Sequence, residues 1–233
     1  ELILSDLNRV EKLYEKAKKT TKSGQKEGLP LIALLEKILP TLEEGLSVRT
    51  LSLNEEEQKL LKGFQLLTIK PVLYVANVSE DGFENNPHLN SIFESAKKEQ
   101  SQVVAISADI EADISELDIN EKKEFLSEIG QTESGLDRLV NAGYDLLGLQ
   151  TFFTAGPQEV RAWTVSIGDS APQAAGKIHG DFEKGFIRAE TISFEDFILH
   201  SGEKGAKEAG KLRAEGKEYI VQDGDVFHFL FNV

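Results

Sequence analysis

The sequence has no cysteine and no methionine, and only one tryptophan and six prolines among 233 residues. Without cysteine there is no disulfide framework, thiol nucleophile or thiolate metal site. Without methionine the chain carries no initiator residue, so a piece or processed form of a longer protein is expected. No apolar run is long enough to span a bilayer, and no secretory leader opens the chain. A cytoplasmic location without membrane contact is the expectation. Positive charge is also short: 26 Lys and Arg face 40 Asp and Glu, a net charge of −14. That balance argues against general nucleic-acid affinity, and DNA is not an expected partner.

What is present is the composition of a globular protein, 40% hydrophobic and 28% charged, in a chain long enough for a sizeable core. The charge is uneven. Residues 1–50 carry 9 basic and 8 acidic side chains, residues 51–150 carry 8 and 19, and residues 151–233 carry 9 and 13. The basic residues Arg9, Lys12, Lys16, Lys18, Lys19, Lys22 and Lys26 face only Glu11 and Glu15 in their stretch. They read either as a solvated helix face or as an arm that touches RNA phosphates.

Local patterns give the elements. Ile3, Leu7, Val10, Tyr14 and Ala17 repeat at helical spacing, as do Leu31, Leu35, Ile38 and Leu42. With a polar turn from Thr20 to Gly28, they predict an αα-hairpin whose second helix begins near Pro30 and is kinked or stopped by Pro40. Asn54 and Glu57 form a capping-box pattern for a helix presenting Leu60, Leu61, Phe64 and Leu67. Residues 72–76 read as a strand buried on both faces. Asn86-Pro87 opens a helix, 103–106 is a second strand, 109–133 is an acidic insert, and a helix covers about 134–147. From Gln150 strand-like segments appear at 151–154 and 160–165. A loop is expected at 168–177, a short helix at 181–189, a short element at 193–199 and a helix-prone stretch at 204–215. A closing hairpin is read from 219–221 to 226–231.

The most informative stretch is Val75-Ala76-Asn77-Val78-Ser79-Glu80-Asp81-Gly82. An apolar strand ends there in a polar loop, and in open α/β sheets ligands are read at the carboxyl ends of strands. The second strand ends in Ser107-Ala108. A strand closed by Asn-x-x-acid, a helix, and a strand closed by Ser-Ala resemble the second half of a Ras-like GTPase domain. Asn77-Val78-Ser79-Glu80 stands where that family has Asn-Lys-x-Asp, and this form resembles the YchF subfamily of Obg-like P-loop ATPases. Further resemblance lies in Leu149 to Gly156, Arg161-Ala162-Trp163-Thr164, Ala171 to His179, Asp181 to Ala189 and Gln222 to Val226.

The resemblance implies an α/β fold: the C-terminal half of a Ras-like parallel-sheet G domain with a helical hairpin insertion, followed by an α+β β-grasp (TGS) domain. The implied boundaries are 1–69 for the hairpin, 70–149 for the half G domain and 150–233 for the TGS-like domain. It implies base recognition by Asn77, Val78, Glu80, Ser107 and Ala108, with ATP and Mg2+ as cofactors and the ribosome or its RNA as partner. A monomer is expected. No Gly-x4-Gly-Lys-Ser/Thr loop occurs in the chain. Phosphate and metal ligands are therefore expected outside it, and the chain alone is expected to hydrolyse nothing. No catalytic or metal-ligating residue is assigned. A nucleotide-independent RNA- or ribosome-binding module and a GTPase of ordinary guanine preference stand as alternatives. Among single residues, Trp163 reads as a packing residue, with stacking on RNA as the alternative, His179 as a structural or partner-contact residue, and His228 as a surface or core-edge residue.

Overall fold

The computed structural model describes residues 1–22 and 28–232, and its contacts divide the chain into two units, Glu1–Ala142 and Gly143–Val233. The turn expected at Thr20 to Gly28 falls largely outside the described residues. Helices α1 (Leu2–Lys22) and α2 (Leu29–Glu43) pack through Val10, Leu34, Leu35, Ile38 and Leu42, all at most 2% exposed. Pro30 sits in the first turn of α2, where its missing N–H costs nothing. Pro40 does not end α2, which runs three residues further, so of the expected kink or stop the stop is corrected. The buried residues Leu35, Ile38 and Leu42 lie around it, and their packing outweighs the lost backbone bond.

Asn54 caps α3 (Glu55–Leu61) through the expected capping box: its side chain accepts from Glu57 N, and Glu57 accepts from Asn54 N. The helix is shorter than its apolar pattern suggests. A 3-10 turn follows at 62–64, and Gln65 takes a left-handed conformation, φ 49°. Phe64 and Leu67 are therefore not on an α-helical face.

Strands β1 (Leu73–Asn77) and β2 (Gln102–Ile106) pair in parallel, Leu73 opposite Gln102 and Asn77 opposite Ile106. Helix α4 (Pro87–Lys98), capped by Asn86 with Pro87 at its start, connects them and packs on both. The expectation that β1 is buried on both faces does not hold in this chain. Among the described residues only Ala76 of β1 is buried, Val75 is 46% exposed, and β1 pairs with β2 alone. The acidic insert forms α5 (Ala108–Ser115) and α6 (Ile119–Glu128), and α7 (Gly135–Leu147) follows.

The second unit is a five-stranded mixed sheet in the order β4-β3-β7-β5-β6. Its strands are β3 (Leu149–Ala155), β4 (Val160–Ser166), β5 (Phe186–Ser193), β6 (Arg213–Glu215) and β7 (Asp225–Phe231). Strand β3 pairs in parallel with β7, and the other ladders are antiparallel. Helices α8 (Ala171–Ile178), α9 (Gly180–Lys184), α10 (Phe194–Leu199) and α11 (Glu203–Glu208) link them.

Four expectations are corrected here. The 168–177 loop is mostly α8, opened by a Ser170–Gln173 capping box. The end of the 181–189 helix is the start of β5. The helix-prone 204–215 ends in β6. Among the described residues 219–231 form no hairpin: β7 pairs with β3 and β5, while Ile220 makes one isolated bridge to Ser170.

The core of this unit gathers Phe152, Val165, Ala171, Ala174, Ala175, Phe186, Ala189, Val221 and Phe227. Trp163 packs against it, stacked on Phe152, with its Nε1 donating to Thr154 Oγ1 at 2.9 Å. His179 caps α9 by accepting from Asp181 N at 3.2 Å, and His228 is exposed on β7.

One polar cluster sets a pH limit. Tyr219 Oη donates to Asp225 Oδ2 at 2.8 Å, and Arg213 reaches both residues. Burial, then the bond and charge of Asp225, push the Tyr219 phenol up from 10.0 to about 12. A folded pKa above the unfolded one stabilises below pH 10 and is lost as pH rises toward 12. Because Tyr219 is only partly buried, the contribution is about 1–2 kcal/mol after solvent screening. Alkaline unfolding of the Tyr219→Phe variant is expected to lose stability less steeply between pH 10 and 12. Superimposable curves would contradict this.

Candidate nucleotide-base site

β1 and β2 end side by side, so their register sets the site. Val78 N donates to Ile106 O at 2.8 Å, which continues the ladder one residue past the strand. Beyond it, Asn77 Oδ1 accepts from Ala108 N at 3.0 Å and ties the two strand-end loops together. Asn77 is exposed, and with its oxygen so engaged its amide is the donor on offer to a ligand. The next residues form a tight turn in which Gly82 N donates to Ser79 O at 2.8 Å and Ser79 Oγ donates to Asp81. A Cβ on Gly82 would come within 2.9 Å of Ser79 Oγ and 3.1 Å of Ser79 N and O, so the turn is closely packed there.

Ser107 is 1% exposed and caps α5, its Oγ accepting from Ile110 N. The side chain of Ser107 thus supports the loop from beneath. The Ala108 N–H is directed at Asn77 Oδ1.

Of the five residues expected here, Asn77, Val78 and Ala108 meet at the junction. Glu80 and Ser107 line an adjoining cleft of about 440 Å³. Its apolar lining includes Phe83, Ile110, Phe125 and Ile129. Arg138 also lines it and donates to Ala105 O at 3.2 Å and to Gln131 Oε1 at 2.8 Å. Gly135 N donates to Glu111 Oε1 at 2.6 Å and fixes α5 to the start of α7.

Arg138, Glu111 and the apolar lining were not found from the sequence. The i, i+4 pairs Ile110/Ile114 and Phe125/Ile129 within an acidic stretch were the available signal. Among the described residues no group of three or more His, Asp or Glu side chains is arranged to hold a metal ion. No helix among them is long and apolar enough to cross a membrane.

Residues 149–232 match the family model described as YchF-GTPase_C, protein of unknown function (DUF933). The whole chain is 58% identical over 233 residues to the Ribosome-binding ATPase YchF of Escherichia coli O157:H7. It is 51% identical over 236 residues to the Ribosome-binding ATPase YchF of Bacillus subtilis (strain 168). In both cases all of the chain is covered, and it spans 64% of the relative's length. Among solved structures it resembles that of the Schizosaccharomyces pombe YchF GTPase, with 31% identity and a TM-score of 0.86. That match covers 99% of this chain and 63% of the other.

Proposed function

This chain belongs to the YchF family over its full length, and from that premise we propose that it is part of a ribosome-associated P-loop ATPase, carrying the purine-reading end of the nucleotide site. The observation that carries the reading is the Asn77–Ala108 bond, which fixes an exposed amide at the carboxyl ends of two parallel strands. Asn77 offers a donor to purine N7, an acceptor shared by adenine and guanine. Discrimination then falls on the loop after it. Glu80 is exposed, is one methylene longer than the Asp of the GTPase motif and lacks the adjacent Lys, so guanine's N1 and N2 donors lose a well-placed acceptor. The names of the relatives divide between ATPase and GTPase, so base preference is the point to measure. The experiment is a titration of the full-length protein with ATP and with GTP in the presence of Mg2+, with tighter ATP binding expected.

The phosphates and Mg2+ are assigned to residues outside this chain, which has no P-loop pattern, and the chain alone is assigned no hydrolysis. The metal, when bound, neutralises charge on the transferring phosphoryl group. This chain's residues contribute binding and orientation of the base.

The ribosome partner is supported by α1. Arg9, Lys12, Lys16 and Lys19 fall on one exposed stripe at steps of three and four, the spacing of one helix face. Such a stripe suits RNA phosphates despite the net negative charge of the chain. Residues 1–69, 70–149 and 150–233 are assigned as helical arm, half G domain and TGS-like β-grasp domain. The mixed sheet with β7 central and α8 packed on it supports the last assignment. A cytoplasmic monomer completes the reading.

A further inference from the structure

Three polar side chains with no part in reading the base connect the helical hairpin to β1. Asp6, on the buried stripe of α1, is 2% exposed. Its Oδ1 accepts from Leu67 N at 3.0 Å, and its Oδ2 accepts from Thr68 N and Thr68 Oγ1, both at 2.7 Å. Thr68, also 2% exposed, is a hub. Its hydroxyl accepts from Val48 N at 3.2 Å, and its carbonyl accepts from Arg49 N at 3.1 Å.

Arg49 closes the cluster. Its Nη1 donates to Lys70 O at 3.0 Å, and its Nη2 meets Glu99 Oε2 at 2.9 Å. Glu99 is the C-cap of α4 and also accepts from Tyr74 Oη of β1 at 3.2 Å. The hairpin, the run into β1, β1 itself and the end of α4 are therefore held by one continuous set of bonds.

We propose that Asp6, Thr68 and Arg49 form a joint that transmits the position of the helical hairpin to β1 and its Asn77 loop. A partner gripping the hairpin would thereby change nucleotide affinity. The inference rests on the functional reading above. Charge-assisted bonds to a buried carboxylate are stronger than neutral ones and leave unpaired groups when broken. Displacing α1 thus moves Thr68 with it instead of sliding past it. Packed segments of this kind shift between discrete arrangements and do not deform continuously. Asn77 lies nine residues beyond Thr68, at the far end of the strand that Tyr74 and Glu99 anchor.

Linkage supplies the test, because two coupled ligands change each other's affinity by the same factor. The affinity of the full-length protein for a non-hydrolysable ATP analogue with Mg2+ is measured with and without saturating purified ribosomes. The measurement is repeated for Asp6→Asn, Arg49→Lys and Tyr74→Phe. The unsubstituted protein is expected to show coupling of about five-fold or more, within the usual allosteric range. In the variants coupling falls to about two-fold or less, while each ligand alone binds within about three-fold of the original. Tyr74→Phe removes one hydroxyl and keeps the comparison available if a more drastic change prevents folding. Coupling retained in every folded variant, or absent from the unsubstituted protein, overturns the joint. Failure of the unsubstituted protein to bind nucleotide or ribosomes overturns the functional reading, and the joint with it.

Discussion

Asn77→Ala in the full-length protein is expected to weaken binding of ATP with Mg2+ by about 10–100-fold. The substitution removes two interactions. The amide that faces a ligand is lost, and so is the Oδ1 bond that holds Ala108 N at 3.0 Å and joins the two loops. At about 0.5–1.5 kcal/mol for each net hydrogen bond, their sum covers that range. Asn77→Asp separates the two roles. It keeps an acceptor for Ala108 N but replaces the outward donor with a charged oxygen, so the loops stay joined while affinity still falls. Isothermal titration of both variants reads the difference. Unchanged affinity in Asn77→Ala would remove the base-site assignment.

Phe152→Ala is expected to cost the second unit about 3–5 kcal/mol, the usual range for emptying a buried aromatic site. Phe152 is fully buried, and its ring meets Trp163, Phe227 and Phe229 at centroid distances of 6.4, 5.5 and 5.9 Å. It therefore links β3, β4 and β7, and no smaller side chain fills that position. A domain of this size is stabilised by about 5–15 kcal/mol in total, so the loss is a large fraction. Its melting point is expected to fall by roughly 15–30 °C. Trp163 is the only tryptophan and lies in this unit, so its fluorescence follows the transition. A fall under about 5 °C would mean that the ring does not organise this core.

The parts of the fold legible in the sequence were those fixed by neighbours in the chain. The Asn54–Glu57 and Asn86-Pro87 starts, the apolar stripes of the hairpin and the two parallel strands have local signatures, and all stand in the structure. Helix α8 was missed because Ala, Gly and Pro read as loop. Its small residues Ala171, Ala174 and Ala175 are a buried face against the sheet, and the Ser170–Gln173 cap was its local sign. The hairpin at the end was misread because β7 pairs with β3, more than seventy residues earlier, and with β5; such pairing leaves no local mark. The start of β5 is obscured by an irregular register between Phe186 and Arg188, which breaks the alternation that identifies a strand.

That Asn77 and Ala108 stand at neighbouring strand ends was legible, while their bonding was not. Nothing in the spacing of Asn77 and Ala108 shows that one side chain occupies the other's N–H. Asp6 was legible in principle: a carboxylate between Ile3 and Val10 on an apolar stripe must find buried donors, and it does so at Leu67 and Thr68.

The measurement that bears most directly on the proposed function is titration with ATP and GTP, in the presence of Mg2+, of the full-length protein and of this 233-residue chain side by side. Tighter binding of ATP than GTP by the full-length protein, with weak or no binding by the chain alone, is the predicted result. Equal or tighter GTP binding would contradict the role given to Glu80. No nucleotide binding by either would contradict the ATPase reading as a whole and favour a nucleotide-independent ribosome-binding module.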